Sequence, residues 1–172
     1  MAWSMKNVGP NRGGRFKQGF FRPMNPSKYI GEVDKIIYRS SWELGFMKNL
    51  DERENVVRWS SEDIAIPYIN PLDEMKSPPV YGKIRHYYVD FFFTKRNSDG
   101  SEQDYIIEVK PLSQVPTEVM DIKGKKTKRR LVNYIREAEV HLLNKAKFEA
   151  AITYAEERGA KFGIVTEGGG YF

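Results

Sequence analysis

Apolar and polar positions alternate most clearly over residues 84–94 and 105–110, and Asn97-Ser98-Asp99-Gly100 lies between the two runs. Period-two alternation with aromatic and β-branched enrichment predicts two strands, and the Asn-Ser-Asp-Gly insert predicts a β-hairpin turn. Successive strand side chains point to opposite faces. Tyr87, Val89, Phe91 and Phe93 are therefore expected on one wholly apolar face with Tyr105, Ile107 and Val109. The other face carries Tyr88, Asp90, Phe92, Ile106, Glu108 and Lys110.

The remaining pattern frames this hairpin. Trp42, Phe46 and Leu50 recur every four residues, so a helix is predicted over 41–50. Ser40 is its N-cap, and Glu43 three residues on completes a capping box. Residues 56–59 and 64–69 read as short strands, with Pro67 confining the second to an edge or an end. Residues 70–82, with three prolines, read as a loop. Pro111 stops the second hairpin strand, and a second loop follows over 112–125.

Leu131, Ile135, Ala138 and Leu142 predict a helix over 127–141. Asn144 is placed as the cap of another to 158, with Phe148, Ala151, Ile152 and Ala155 inward and Gly159 as its stop. Residues 162–166 predict a last strand, and 168–172 a glycine-rich tail. Residues 1–28 lack either period and read as a basic arm, extended or flexible. The order of elements over 29–167 predicts one α/β domain, a small mixed β-sheet flanked by helices.

Register gives the hairpin its chemistry. A three-residue loop, Ser98-Asp99-Gly100, pairs Asn97 with Ser101 and sets Asp90 opposite Glu108. Such a loop places its last residue in the left-handed region, which suits Gly100. Facing carboxylates repel unless a cation sits between them. Mg²⁺ binds carboxylate oxygens and keeps positions open for water and phosphate. Lys110 lies one step along the same face, within reach of an attacking hydroxide or a phosphate oxygen. The same residues also suit a solvated face with a Lys–carboxylate pair, and a two-residue loop would shift the register by one. For Glu43, capping alone accounts for the spacing, although a helix N-terminus also favours phosphate.

Charge sharpens the picture. The net charge is +5, but Lys6, Arg12, Arg15, Lys17, Arg22 and Lys28 crowd the arm. Lys123, Lys125, Lys126, Lys128, Arg129 and Arg130 form a second tract, and the rest of the chain is net acidic. Two cationic tracts on an acidic body suit a polyanion such as DNA, whose phosphates supply affinity through counterion release. Plain solubility, or a tail with no partner, also accommodates them. With no cysteine and two histidines, the chain has no disulfide framework, no thiol nucleophile and no zinc-thiolate site. No apolar run nears the roughly 18 residues of a membrane helix. No signal-peptide pattern opens the chain, and a reducing cytoplasm fits.

Glu43, Asp90 and Glu108-Val109-Lys110 together resemble the PD-(D/E)XK nuclease arrangement. Val89 stands where that arrangement usually has a proline. A broader likeness runs through residues 38–43, 59–62, 66–68, 85–91, 107–111, 144–147 and 166–167. In these the chain resembles the head completion nucleases of large contractile-tailed phages, and the layout is similar to the catalytic domain of the TnsA endonuclease.

The resemblance implies a restriction-endonuclease-like fold and Mg²⁺-dependent cleavage of double-stranded DNA, with Mn²⁺ able to substitute. Asp90, Glu108 and the Val109 carbonyl would hold the metal, Lys110 would orient the nucleophile, and Glu43 would complete the shell. Arg39 and the tract from Lys123 to Arg130 would contact DNA without strong sequence preference. Head, portal or neck proteins would be partners, in the virion or in the host cytoplasm during assembly. Two other readings compete: a non-catalytic head-completion protein that binds DNA ends or the portal vertex, and a transposase-like end-cleaving subunit.

Overall fold

A computed structural model describes residues 18–116, 128–167 and 169–171. Its centre is a five-stranded mixed sheet of β3 (Val56–Ser61), β6 (Phe91–Arg96), β7 (Glu102–Val109), β8 (Lys161–Thr166) and β9 (Gly169–Tyr171), in that order. Neighbours are antiparallel except β7 and β8, which run parallel. A parallel pair needs a long crossover. Here it is made through α3 (Lys128–Glu156).

Two smaller antiparallel pairs complete the fold: β1 (Gly19–Phe20) with β2 (Ile37–Tyr38), and β4 (Ala65–Ile69) with β5 (Ile84–Tyr88). Helix α1 spans Ser41–Glu52, and a short α2 spans Pro71–Glu74 inside the stretch expected to be loop. The expected α/β class, a mixed sheet flanked by helices, is what the chain adopts.

The β6–β7 turn forms as its residues predict. Asn97 N–H donates to the Ser101 carbonyl at 2.8 Å, Gly100 has φ +86°, and Arg96 pairs with Glu102. Phe91, Phe93, Ile107 and Val109 then face one core, where Phe46, Met47 and Leu50 of α1 meet them around Trp59. Ile106 and Phe92 face the opposite core, against Ala151 and Ala155 of α3.

Tyr87 and Val89 join this second core rather than the first. The strand expected over 84–94 is broken at Val89–Asp90. Val89 N–H donates to the Ile64 carbonyl at 3.2 Å, and the Asp90 carbonyl accepts from Glu62 N–H at 3.1 Å. The β3–β4 connection thus draws β5 off the main sheet, and the alternation of faces restarts at Phe91.

Three other expectations are corrected. No glycine or proline occurs between 128 and 156, so α3 runs unbroken for 29 residues. Asn144 caps nothing; buried in mid-helix, it donates from Nδ2 to the Gln114 carbonyl at 2.8 Å. Ile152, expected inward, is exposed, as are Leu131 and Ile135 of the helical spacing. Gly159, at φ +66°, does end the helix, with Ala160 N–H reaching back to the Ala155 carbonyl at 2.9 Å.

Residues 169–171 of the expected tail form β9 on the edge of β8. Residues 18–28 of the expected arm pack on the body. Phe21 is buried, and the buried Asp51 accepts Met24 N–H at 2.6 Å and Asn25 N–H at 3.1 Å. Lys28 Nζ binds the Asp51 and Arg53 carbonyls at the C-terminus of α1. The rest of the arm, residues 1–17, lies outside the described residues.

Candidate active site

Asp90 stands where β5 gives way to β6, and Glu108 is the penultimate residue of β7. The pairing of Phe91 with Ile107, continued by one residue, sets Asp90 opposite Glu108. Val109 N–H donates to Asp90 Oδ2 at 2.7 Å, and Lys110 Nζ lies 2.7 Å from Glu108 Oε1. Lys110 N–H donates to the Val165 carbonyl at 2.9 Å, which ties this end of β7 to β8. Two acids and an amine therefore meet at one spot, held by backbone contacts on both sides.

The group is electrostatically incomplete. Glu108 is 3% exposed, and its Oε2 is buried with no hydrogen-bond partner. A buried charged oxygen left unpaired costs on the order of 1–3 kcal/mol or more. Burial, and then the charge of Glu108, push the Asp90 carboxyl up to about 8, against the pull of Val109 N–H and Lys110. Burial also works to discharge Lys110, but the charge and hydrogen bond of Glu108 outweigh it and hold the ammonium protonated. Burial, then Glu108 and Asp90, keep the Tyr87 phenol un-ionised. Two facing carboxyl groups thus share one ammonium, that of Lys110.

Glu43 takes the role its spacing predicts. Its N–H donates to Ser40 Oγ at 3.1 Å, while its carboxylate accepts from Arg39 N–H at 2.7 Å and from Ser40 Oγ at 2.9 Å. It is near enough for its charge to bear on Asp90 and Lys110, as the weakest of the influences on each. Among the described residues no three acidic or histidine side chains gather as a metal cage. The structure thus does not bring Glu43 in as a third direct ligand. Mg²⁺ needs no such cage, because it binds through one or two carboxylates and retains several waters. The orphaned Glu108 Oε2 beside Asp90 fits that ion.

The expected DNA contacts are spread out. Arg39 is ion-paired with Glu62 rather than free, although both side chains remain accessible to solvent. Lys128, Arg129 and Arg130 open α3 and are exposed, while Lys123, Lys125 and Lys126 lie outside the described residues. Among the described residues no helix is long and apolar enough to cross a membrane.

A family model described as the TnsA-like endonuclease N terminal matches residues 53–167. The chain belongs to the TnsA-like endonucleases. The Head completion nuclease of Enterobacteria phage T4 is 35% identical to it over 153 residues, covering 88% of this chain and 91% of that protein. Asp90, Glu108, Val109 and Lys110 fall within the endonuclease match, and Glu43 and Arg39 precede it.

The endonuclease fold also brings in Lys147, which was not singled out from the sequence as a site residue. Its ammonium lies 5.3 Å from the centre of the Tyr87 ring and 5.8 Å from that of Tyr68. Burial, and then the nearby charge of Lys110, pull its pKa down, while Glu108 and Asp90 oppose the shift. The sequence did hold a signal. Asn144, Phe148, Ala151 and Ala155 are the buried positions of α3. Lys147 falls on that same stripe, where a charge is out of place.

Proposed function

We propose that this chain is a Mg²⁺-dependent deoxyribonuclease of the PD-(D/E)XK type that hydrolyses DNA during phage head completion. The observation that carries the reading is the facing pair of Asp90 and Glu108, with a buried Glu108 oxygen left without a partner and Lys110 alongside. Asp90, Glu108 and the Val109 carbonyl would hold the ion. Once bound, it supplies Lewis-acid chemistry, lowering the pKa of water and offsetting charge on the phosphoryl group. Cleavage adds water across one P–O bond and leaves a phosphate monoester and a hydroxyl.

The protein's own groups set the geometry. Val109 N–H fixes one Asp90 oxygen, so the other faces the reacting centre in a single orientation. Lys110, whose ammonium is paired with Glu108, would act as a donor to the attacking oxygen or to the phosphoryl oxygens. Glu43, fixed by its capping bonds, adds negative potential at the margin. The basic run ending in Lys128, Arg129 and Arg130 would grip backbone phosphates, which positions DNA without reading sequence. Arg39 would join them by exchanging Glu62 for a phosphate.

The head-completion setting is supported by the similarity to the T4 protein and its name. It makes head, portal or neck proteins the partners, in the virion or in host cytoplasm during assembly. The test is plasmid cleavage with Mg²⁺ or Mn²⁺ by the parent chain and by Asp90→Ala, Glu108→Ala and Lys110→Ala. Each substitution is expected to cost about 10²-fold or more in rate. Three variants that cut as fast as the parent would overturn the reading.

A further inference from the structure

We infer that Lys147 is a phosphate-binding residue of this site, its ammonium held on the faces of Tyr68 and Tyr87 so as to meet an oxygen of the DNA phosphodiester brought to Asp90, Glu108 and Lys110. This inference rests on the nuclease reading above.

Tyr68 lies on β4 and Tyr87 on β5, with ring planes at 90° and centroids 6.4 Å apart. They form an aromatic corner against α3. Lys147 Nζ is within the roughly 6 Å at which a ring face attracts a cation. Ring faces accept no conventional hydrogen bond, whereas an ammonium carries three donors. Among the described residues Lys147 has no ion pair, and Glu108 Oε1 is taken by Lys110. Partly burying an ammonium without an anion is unfavourable. The corner therefore presents a cation whose three donors the ring faces leave available to an anion.

Charge balance points to the kind of anion. With a divalent cation bound, Asp90, Glu108 and Glu43 would bring three negative charges, and Lys110 and Lys147 two positive ones. One divalent cation tips the total to a single positive charge, which matches one phosphodiester. Without Lys147 the same set is neutral.

The test uses the full chain with Lys147→Met and Lys147→Arg, and with Asp90→Asn as a metal-site control. Cleavage of a fluorescent 20-base-pair duplex is followed at several salt concentrations with Mg²⁺. The melting temperature is measured with and without Mg²⁺. Lys147→Met is expected to keep the parent's melting temperature and its Mg²⁺-induced rise, to lose about 10- to 100-fold in kcat/KM, and to flatten the salt slope by about 0.9. Lys147→Arg should recover most of the activity, because it keeps the charge and packs on the rings.

Parental kcat/KM and salt slope in Lys147→Met would overturn the inference, as would a loss accompanied by a collapsed melting temperature. If the parent itself does not cleave, the nuclease reading fails separately. Duplex affinity of parent and Lys147→Met, measured by fluorescence anisotropy, then decides on Lys147: equal affinities reject it, and weaker binding by the variant supports it.

Discussion

Replacing Asp90 by asparagine should make the metal-free protein more stable while abolishing its activity. The ordinary Asp pKa of about 3.9 describes the unfolded chain. In the fold, burial and Glu108 raise it to about 8. The folded state therefore holds its proton over a pH range where the unfolded chain releases it. The corresponding stability is fully present below about pH 4 and is lost as pH rises towards 8. At pH 7 the gap is about three pH units at 1.36 kcal/mol each, an upper limit near 4 kcal/mol. A cost of about 2–4 kcal/mol is the working range, equivalent to roughly 5–15 °C in a chain of this size.

Asparagine removes that cost without disturbing the local bonding. Its carbonyl can accept Val109 N–H as Asp90 Oδ2 does, and as a neutral group it does not repel Glu108. The assay is thermal unfolding in EDTA from pH 4.5 to 8, repeated with Mg²⁺. Asp90→Asn should melt several degrees above the parent at pH 7.5, and the two should converge near pH 4.5. With Mg²⁺ at about 100 times its Kd, the parent should gain about 2.7 kcal/mol and the variant nothing. A variant that melts at or below the parent at pH 7.5, or a gap that does not change with pH, would refute the reasoning.

Other consequences follow from the same contacts. Asp51→Ala strips the acceptor from Met24 and Asn25 N–H and should cost about 2–4 kcal/mol, read as a lower denaturant midpoint with an unchanged slope. Gly100→Ala forces a side chain into φ +86° and should cost about 1–2 kcal/mol, read the same way, with activity unchanged below the melting temperature. Lys147 and Lys128 are 19 residues apart on α3, about 28 Å at 1.5 Å per residue, or about eight base pairs of duplex. Duplexes with fewer than about eight base pairs on the side of the cut that meets the basic tract should lose affinity, and neutralising Lys128, Arg129 and Arg130 should not weaken their binding further.

What could be read in the sequence divides along a physical line. The acid pair was legible because a three-residue turn closed by Gly100 fixes register locally, and register carries unchanged from Asn97 back to Asp90. Glu43 was legible for the same reason, since a capping box is complete within four residues. The faces of Tyr87 and Val89 were not legible. Their placement depends on hydrogen bonds to Ile64 and the Glu62 neighbourhood, which come from a different part of the chain and interrupt a strand whose own residues give no sign of a break.

The single α3 and the role of Asn144 belong to the same class. An asparagine in a helical run reads as a cap until a distant partner, here the Gln114 carbonyl, claims its side chain. Lys147 sits between the two cases. Its periodic position was visible, but its meaning required knowing that β4 and β5 leave the main sheet and lay two tyrosines across α3. The break at Val89–Asp90 is thus the event that builds the site. It frees β5 to carry Tyr87 towards Lys147, and it leaves Asp90 immediately before the new strand, where its carboxylate can face Glu108 and its carbonyl can hold Glu62.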